Sequence, residues 1–187
     1  MNTFLRILRD LLSALTGPSR PTSRPGGAGR PGAPGKPSGG SRPGETPSPG
    51  QSGPAATREV DPRRVGSVTM TYAPSRDGDA DPGEIVWTWV PFEENDGRGK
   101  DRPVLVVARL QGSDVLAIAL TSKPHAGQSD FVPIGAGPWD SQGRPSWANL
   151  DRVFRVRPGG MRREASGLDR KTFALVTAAL SKRYGWR

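Results

Sequence analysis

Few side chains in this sequence could carry out chemistry beyond charge attraction. The chain has no cysteine and a single histidine, His125, so it offers neither a thiolate site nor a histidine cluster for a metal ion. Arginine and lysine total 27 against 18 acidic residues, a formal charge of +9. Such a chain attracts polyanions, and nucleic acid and an anionic membrane surface are the two candidates. We expect no cofactor, and a cytoplasmic protein is compatible with the absence of cysteine.

The charge is distributed unevenly along the chain. Residues 144 to 187 carry eleven basic residues against three acidic ones, whereas residues 76 to 101 carry eight acidic residues against three basic ones. A groove for RNA phosphates on a basic side of the fold is one interpretation, and an ordinary solvated surface is the other. Charge alone does not choose between them.

The composition limits how much of the chain can fold. The 25 glycines, 20 prolines and 33% hydrophobic residues supply too little apolar material for a core that uses every residue. No aromatic or branched aliphatic residue occurs from Gly17 to Arg58. We therefore predict a disordered linker, rich in glycine and proline, over residues 17 to 65, and a folded domain over residues 66 to 187.

The amino-terminal residues 1 to 16 show helical periodicity. Six apolar residues fall on one face of a helix and charged residues on the other. These apolar residues are Phe4, Leu5, Leu8, Leu11, Leu12 and Leu15. An amphipathic helix is the prediction; a secretory signal, a partner-binding helix and a weak membrane-surface contact are the alternatives. The chain has no run of about 18 apolar residues that could span a membrane.

Short runs rich in β-branched residues follow in the carboxy-terminal half and predict strands. They cover residues 84–90, 103–110, 115–121, 130–134 and 147–156. The pattern changes to helical spacing between Leu168 and Tyr184, where Lys182 and Arg183 would complement the dipole of the last turn. The predicted fold class is mainly β with a C-terminal helix, as a small barrel or sandwich.

Three motifs in order carry a family resemblance. Residues 82–91 read PGEIVWTWVP, a polar loop leads to GKDRPVLVV at residues 99–107, and the third strand ends in Leu120-Thr121-Ser122. The order and spacing resemble the MazF/PemK family of toxins. The similarity extends over roughly residues 82 to 157, and the C-terminal helix has a counterpart in the family.

The resemblance implies an SH3-like barrel of the MazF/CcdB type. It also implies a homodimer that cleaves single-stranded RNA without a metal and is silenced by a cognate antitoxin peptide. The family's catalytic arginine and threonine correspond to Arg102 and Thr121. An aspartate in the next strand corresponds to Asp151.

The chemistry of RNA cleavage assigns provisional roles to these residues. Attack by the 2′-hydroxyl needs a proton acceptor, a proton donor for the leaving oxygen and positive donors at the phosphate. Arg102 suits the phosphate because its guanidinium is a fixed fork of donors, and it is a poor base. Thr121 would donate its hydroxyl, and the base remains open between Asp151 and His125. Four further residues are predicted to bind RNA: Lys100, Ser122, His125 and Arg152.

Other features favour a different class of function. Asn149 stands where relatives often carry a basic residue, and Glu93, Glu94, Asp96 and Asp101 would repel an RNA backbone. Arg102 could also be only a solvated charge, and Thr121 only a residue that favours a strand. Asp151 could be a salt-bridge partner without a catalytic role. The alternative is a catalytically degenerate barrel that serves as a tethered RNA- or peptide-binding module. The tryptophans are interpreted as core or interface residues and not as part of the site.

Overall fold

The computed structural model describes residues 47–75, 77–94 and 96–187. The strands are β1 (Arg58–Val60), β2 (Glu84–Pro91), β3 (Gly99–Arg109), β4 (Val115–Thr121), β5 (Phe131–Gly135), β6 (Ser146–Val156) and β7 (Met161–Gly167). A short 3-10 turn (Pro158–Gly160) precedes β7, and helix α1 (Arg170–Tyr184) ends the fold. The helix predicted over residues 1 to 16 lies outside the described residues.

The strands form one antiparallel sheet in the order β1-β6-β4-β3-β2-β7, and β5 pairs with β6. The five predicted strands are all present, and their bounds differ from the prediction mainly at β3, which begins earlier. The early start matters because it places Lys100, Asp101 and Arg102 within a strand instead of a loop. The predicted class, mainly β with a C-terminal helix, is confirmed.

The central strands β3 and β4 are buried on both faces. Residues 104 to 108 and 115 to 120 are all buried, which explains why these runs are continuously apolar and do not alternate with polar residues. One apolar cluster, containing Leu105 and Ile118, packs beneath α1, and a second, containing Val104 and Phe154, covers the other face. This rigid centre holds the ends of β3 and β4 in place.

Helix α1 begins and ends at well-defined caps. The side chain of Asp169 accepts hydrogen bonds from the backbone N–H and the hydroxyl of Thr172, at 3.0 and 2.6 Å, as an N-cap does. Phe173, Val176 and Leu180 are buried at helical spacing, and Gly185 ends the helix at φ 73°. In the described part of the chain, no helix is long and apolar enough to cross a membrane.

The linker predicted over residues 17 to 65 does not extend through residues 47 to 65. Strand β1 pairs with β6, and the carbonyl of Pro49 accepts a hydrogen bond from the N–H of Trp89 at 3.0 Å. Gly50 is buried at φ 81°, where an added Cβ would lie 2.5 Å from the hydroxyl oxygen of Thr88. This segment is held by backbone hydrogen bonds and by a close contact at a glycine, which do not require apolar side chains. Its low content of apolar residues therefore did not show that it is folded.

Strand β7 was not predicted because its sequence, MRREASG, has no alternation of apolar and polar residues. It pairs with β2, opposite Trp87 and Thr88. Its charged residues are held by ion pairs: Arg163 with Glu84 at 2.9 Å, and Arg162 with Asp101 at 2.7 Å. Edge position and these ion pairs, instead of buried apolar side chains, account for the strand.

Candidate active site

Arg102 and Thr121 lie on neighbouring strands at the end where β4 finishes. Val104 is paired with Ala119, and continuing that register by two residues puts Arg102 opposite Thr121. Directly opposed residues of antiparallel strands extend their side chains from the same face, with Cβ atoms roughly 4.5–5.5 Å apart. Both residues line two adjoining cavities. We call them the Arg102–Thr121 pair.

The guanidinium of Arg102 is half-buried and poorly satisfied. Its Nε is buried and has no hydrogen-bond partner among the described residues. Burial lowers the pKa of Arg102, the nearby charge of Arg152 lowers it further, and Glu93 opposes both. An arginine keeps its proton through such a shift, so the protein holds here a cation that an incoming anion would stabilise.

The hydroxyl of Thr121 accepts a hydrogen bond from the backbone N–H of Lys123 at 3.2 Å. This contact uses a lone pair of the oxygen and leaves the hydroxyl proton available as a donor. Thr121 is half-buried, as is Ser122 next to it. Thr121 can therefore donate to an oxygen placed between it and Arg102.

The two cavities meet at the Arg102–Thr121 pair, and both are also lined by Leu120 and Lys123. The first, about 280 Å³, extends toward Trp87 and Trp139 and is called the Trp87 cavity. The second, about 490 Å³, extends toward Arg152 and Phe131 and is called the Arg152 cavity. An extended ligand that crosses the pair could enter both cavities.

Lys100 and Ser122 border the Trp87 cavity. Lys100 is exposed on β3, in register with Val90 of β2. Because Lys100 and Arg102 are two residues apart on one strand, their side chains leave the same face. These two predicted RNA-binding residues therefore lie beside the pair.

Arg152 lines the other cavity, and an acidic partner already holds it. Its Nε and Nη2 donate to the two carboxylate oxygens of Glu59, at 2.9 and 2.5 Å, and Nη2 also donates to the carbonyl of Pro91. The guanidinium carbon lies 5.1 Å from the ring centre of Phe154. The hydrogen bonds with Glu59 raise the pKa of Arg152. Any phosphate that binds Arg152 must compete with Glu59.

His125 lines the Arg152 cavity together with Arg102 and Thr121. Its ring stacks on Phe131, with centroids 3.6 Å apart and planes inclined by 6°. Nδ1 lies 2.9 Å from Oε1 of Gln128. In the neutral tautomer with the proton on Nδ1, this contact is a hydrogen bond to the amide oxygen, and Nε2 is an acceptor. The histidine is thus held in a defined orientation at this cavity.

Asp151 stands apart from the other predicted site residues. It lines neither cavity, and its Oδ1 pairs with Arg183 and accepts from the hydroxyl of Tyr184 at 3.2 Å. Burial raises the pKa of Tyr184, whose hydroxyl also donates to the carbonyl of Leu150 at 3.0 Å. The contacts of Asp151 connect β6 to α1.

The acidic loop predicted to disfavour RNA does reach the site. Glu93 and Glu94 line the Arg152 cavity, whereas Asp96 is paired with Arg98 at 2.7 Å. The charges of Glu93 and Glu94 act on Arg152 and raise its pKa, after the contribution of Glu59. The Arg152 cavity is therefore a mixed electrostatic surface.

Several lining residues were not predicted from the sequence. Lys123, Trp87, Trp139 and Arg144 line the Trp87 cavity, and Phe131 lines the other. Lys123 follows the Thr121-Ser122 motif directly, so a basic residue beside the motif could have marked it. The others come from separate strands and loops, and no sequence spacing brings them together.

Metal coordination has no support from the residue set. Within residues 47–75, 77–94 and 96–187, no group of three His, Asp or Glu side chains converges as a metal site would require. The groups available for chemistry here are the guanidinium of Arg102, the hydroxyl of Thr121 and the imidazole of His125, which lines the same cavity.

Comparisons with known proteins give partial structural matches. A MazE–MazF complex from Deinococcus radiodurans is 20% identical, covering 62% of this chain and 98% of its own, with a TM-score of 0.42. An endoribonuclease from a mycobacterial species is 17% identical in sequence. The match covers 58% of this chain and 94% of the endoribonuclease, with a TM-score of 0.41. The Mycobacterium tuberculosis toxin MazF-mt6 is 16% identical in sequence. The match covers 55% of this chain and 98% of the toxin, with a TM-score of 0.39. No curated protein matches the chain.

The sequence profile of one family matches residues 81 to 183, which is more than half of the chain. The matched range begins just before β2 and reaches the last turn of α1, so it contains both strands of the Arg102–Thr121 pair. The chain therefore belongs to the family of PemK-like, MazF-like toxins of type II toxin–antitoxin systems.

Proposed function

We propose that this toxin is a metal-independent endoribonuclease that cleaves single-stranded RNA, including mRNA, and thereby inhibits growth. The observation that carries the proposal is the Arg102–Thr121 pair: an under-satisfied guanidinium and a free hydroxyl proton face the junction of two cavities. Donors placed where charge develops contribute strongly to catalysis when water is partly excluded.

In the proposed reaction, the 2′-oxygen of the substrate attacks the adjacent phosphorus and the bond from phosphorus to the 5′-oxygen breaks. The leaving 5′-oxygen takes a proton from a solvent water, and the products are a 2′,3′-cyclic phosphate and a 5′-hydroxyl end. Arg102 binds the non-bridging oxygens through its forked donors. Thr121 donates its hydroxyl to one of the same oxygens as negative charge builds up there.

The proton of the 2′-hydroxyl needs an acceptor, and we assign it to Nε2 of His125. The hydrogen bond from Nδ1 to Gln128 and the stack on Phe131 support this choice, because they orient the ring at the Arg152 cavity. Asp151 was the other candidate, and its contacts with Arg183 and Tyr184 favour a structural role. We therefore assign Asp151 to positioning α1 against β6.

The proposed partners follow from membership in the toxin family. We propose a homodimer that is silenced by a cognate antitoxin peptide. The fork of Arg152, already occupied by the carboxylate of Glu59, suits an acidic side chain of such a peptide as well as a phosphate. Residues 1 to 16 remain a predicted amphipathic helix, for which partner binding and a weak membrane-surface contact are alternatives.

The direct test is cleavage of a long RNA by the full chain in EDTA, with the new 5′ ends mapped. The full chain is used because β1 pairs with β6 and the carbonyl of Pro49 accepts a hydrogen bond from Trp89. We expect discrete cuts by the parent and by Arg155→Ala, whose arginine pairs with Asp114. Arg102→Ala and Thr121→Val should cleave the same RNA far more slowly than the parent. Equal cleavage by Arg102→Ala and the parent would reject the assignment.

A second candidate function has one specific observation in its favour. Glu59, Glu93 and Glu94 surround or occupy Arg152, as expected if the cavity binds a partner without cleaving it. In that case the protein is an RNA- or peptide-binding module of the same fold. A folded parent that binds RNA and yields no new 5′ ends would establish this alternative.

A further inference from the structure

Two residues that line the Trp87 cavity each have a buried polar atom with no hydrogen-bond partner among the described residues. These atoms are the indole Nε1 of Trp87 and Oδ1 of Asp101. Buried polar atoms without partners are uncommon because their lost hydration is not replaced. Both residues belong to the wall of one cavity, which also contains the Arg102–Thr121 pair. Neither atom finds within the described residues the partner that its burial requires.

The two atoms have opposite and unambiguous hydrogen-bonding character. The indole N–H only donates, and a carboxylate oxygen only accepts. The other oxygen of Asp101 pairs with Arg162 at 2.7 Å, and the same guanidinium lies 5.7 Å from the ring centre of Trp87. Arg162 therefore holds both side chains and leaves one donor and one acceptor for the ligand.

The second tryptophan of the cavity serves as an internal comparison. Trp139 is buried, and its Nε1 donates to the hydroxyl of Ser146 at 3.2 Å. That indole is satisfied within the fold and contributes only apolar surface to the cavity. The difference between the two indoles shows that the missing partner of Trp87 is particular to its position.

The register places the two residues on one face of the β2–β3 hairpin. Trp89 pairs with Asp101 and Trp87 with Pro103, so Trp87 and Asp101 are diagonal neighbours across the strands, within reach of one planar group. Arg102 leaves the opposite face of the same strand. Arg102 and Thr121 nevertheless line the Trp87 cavity as well, so a nucleotide whose phosphate lies at Arg102 could direct its base into that cavity.

We infer that the Trp87 cavity is the specificity site for one unpaired nucleobase next to the cleaved phosphate, with Trp87 and Asp101 reading one acceptor and one donor on its Watson–Crick edge. The inference rests on the proposed function. A volume of about 280 Å³ is below the roughly 300–1,000 Å³ of sites for drug-sized ligands and suits a single base. An edge already engaged in a duplex cannot enter, so the site selects single-stranded RNA.

Binding of uncleavable RNA tests this site separately from catalysis. The probes are labelled 2′-O-methyl pentanucleotides of uracil, cytosine, hypoxanthine or adenine, with affinity for the full chain measured by fluorescence anisotropy. Uracil and cytosine, like hypoxanthine and adenine, have similar size and reverse the order of donor and acceptor on the Watson–Crick edge. We expect the parent to favour one member of each pair by roughly tenfold or more.

Two variants and one control identify the residues responsible. Asp101→Asn replaces an acceptor by a group that can donate, and it should abolish or invert the preference. Trp87→Phe keeps an aromatic ring and removes the N–H, so it should reduce the preference. Ser113→Ala, at an exposed residue that lines neither the Trp87 cavity nor the Arg152 cavity, should leave it unchanged. Equal affinity of the parent for both members of each pair, or an unchanged preference in both variants, would overturn the inference.

Parallel cleavage of ordinary RNA separates the two proposals. A base preference that depends on Trp87 and Asp101, without any cleavage, would keep the specificity site and reject the ribonuclease. Cleavage by the parent with no such preference would keep the ribonuclease and reject the site. Thermal melts of both variants establish that a lost preference is not a loss of folding.

Discussion

Strand β3 carries two arginines, Arg102 and Arg109, which differ in their hydrogen-bond partners and in the direction of their pKa shifts. Arg109 donates to the buried carboxylate of Asp81 through Nε at 2.8 Å and through Nη2, and this hydrogen bonding raises its pKa. Arg102 has a buried Nε without a partner among the described residues, and burial lowers its pKa. One end of the strand satisfies its cation within the fold, and the other does not.

The contrast fits a structural role for Arg109 and the functional role proposed for Arg102. Most other arginines with a defined contact resemble Arg109: Arg155 pairs with Asp114, Arg144 with Asp140 and Arg183 with Asp151. A charge held without a partner is unfavourable for folding, and such sites concentrate where a ligand provides the partner. The comparison can be tested at both ends of β3.

The largest effect is expected for Arg102→Ala. Removing the donor fork should lower kcat/KM for RNA cleavage by roughly 100- to 1,000-fold. The free energy of unfolding should change by less than about 1 kcal/mol, since no internal partner is left without its bond. Single-turnover cleavage and urea denaturation measure the two quantities. A variant that is strongly destabilised would make Arg102 structural and remove the contrast.

The mirror-image result is expected for Arg109→Ala. The carboxylate of Asp81, 3% exposed, would lose its charged donor, which should lower the free energy of unfolding by about 1–3 kcal/mol. Cleavage at a temperature where the variant is folded should equal that of the parent. Reduced cleavage by the folded variant would show that the two ends of β3 are coupled.

An intermediate case lies inside the site, because Arg152 lines the cavity and is also paired. Glu59→Gln keeps a carbonyl acceptor for Arg152 and removes the competing charge. We expect RNA affinity at low salt to rise by about three- to tenfold, with a steeper salt dependence. Asp77→Asn, which removes a distant exposed charge, is the matched control and should give a smaller gain. Equal gains would mean that only net charge matters.

The smallest effect on stability is expected for Asp169, whose carboxylate caps the first turn of α1. Hydrogen bonds from the hydroxyl and then the N–H of Thr172 lower the pKa of Asp169 below its ordinary value of 3.8. A depressed pKa contributes stability above the ordinary value and loses it as pH falls through the folded value. Asp169→Asn should therefore lower Tm slightly at pH 7, and the difference should shrink as pH falls below 3.8 and through the lower pKa of the folded state. Cleavage at pH 7 should be unaffected.

Local sequence signals were sufficient for most of the architecture. The apolar runs of β3 and β4 are visible in the sequence, and so is the helical spacing of Phe173, Val176 and Leu180. Both patterns involve residues close together in the chain, so they predict the buried elements. Strands β1 and β7 escaped prediction because pairing and ion pairs with distant strands hold them. The two site residues best marked by motifs, Arg102 and Thr121, are those that the register brings together.

The sequence by itself determined the family, the mainly β class and the positions of Arg102 and Thr121, because each depends on short motifs and local periodicity. Only the tertiary structure decided that Asp151 binds α1, that Glu59 occupies Arg152, and that Trp87 and Asp101 share one cavity with the pair. Hydrogen bonds and charge pairs form between side chains distant in sequence, so their partners depend on how the strands are arranged in space.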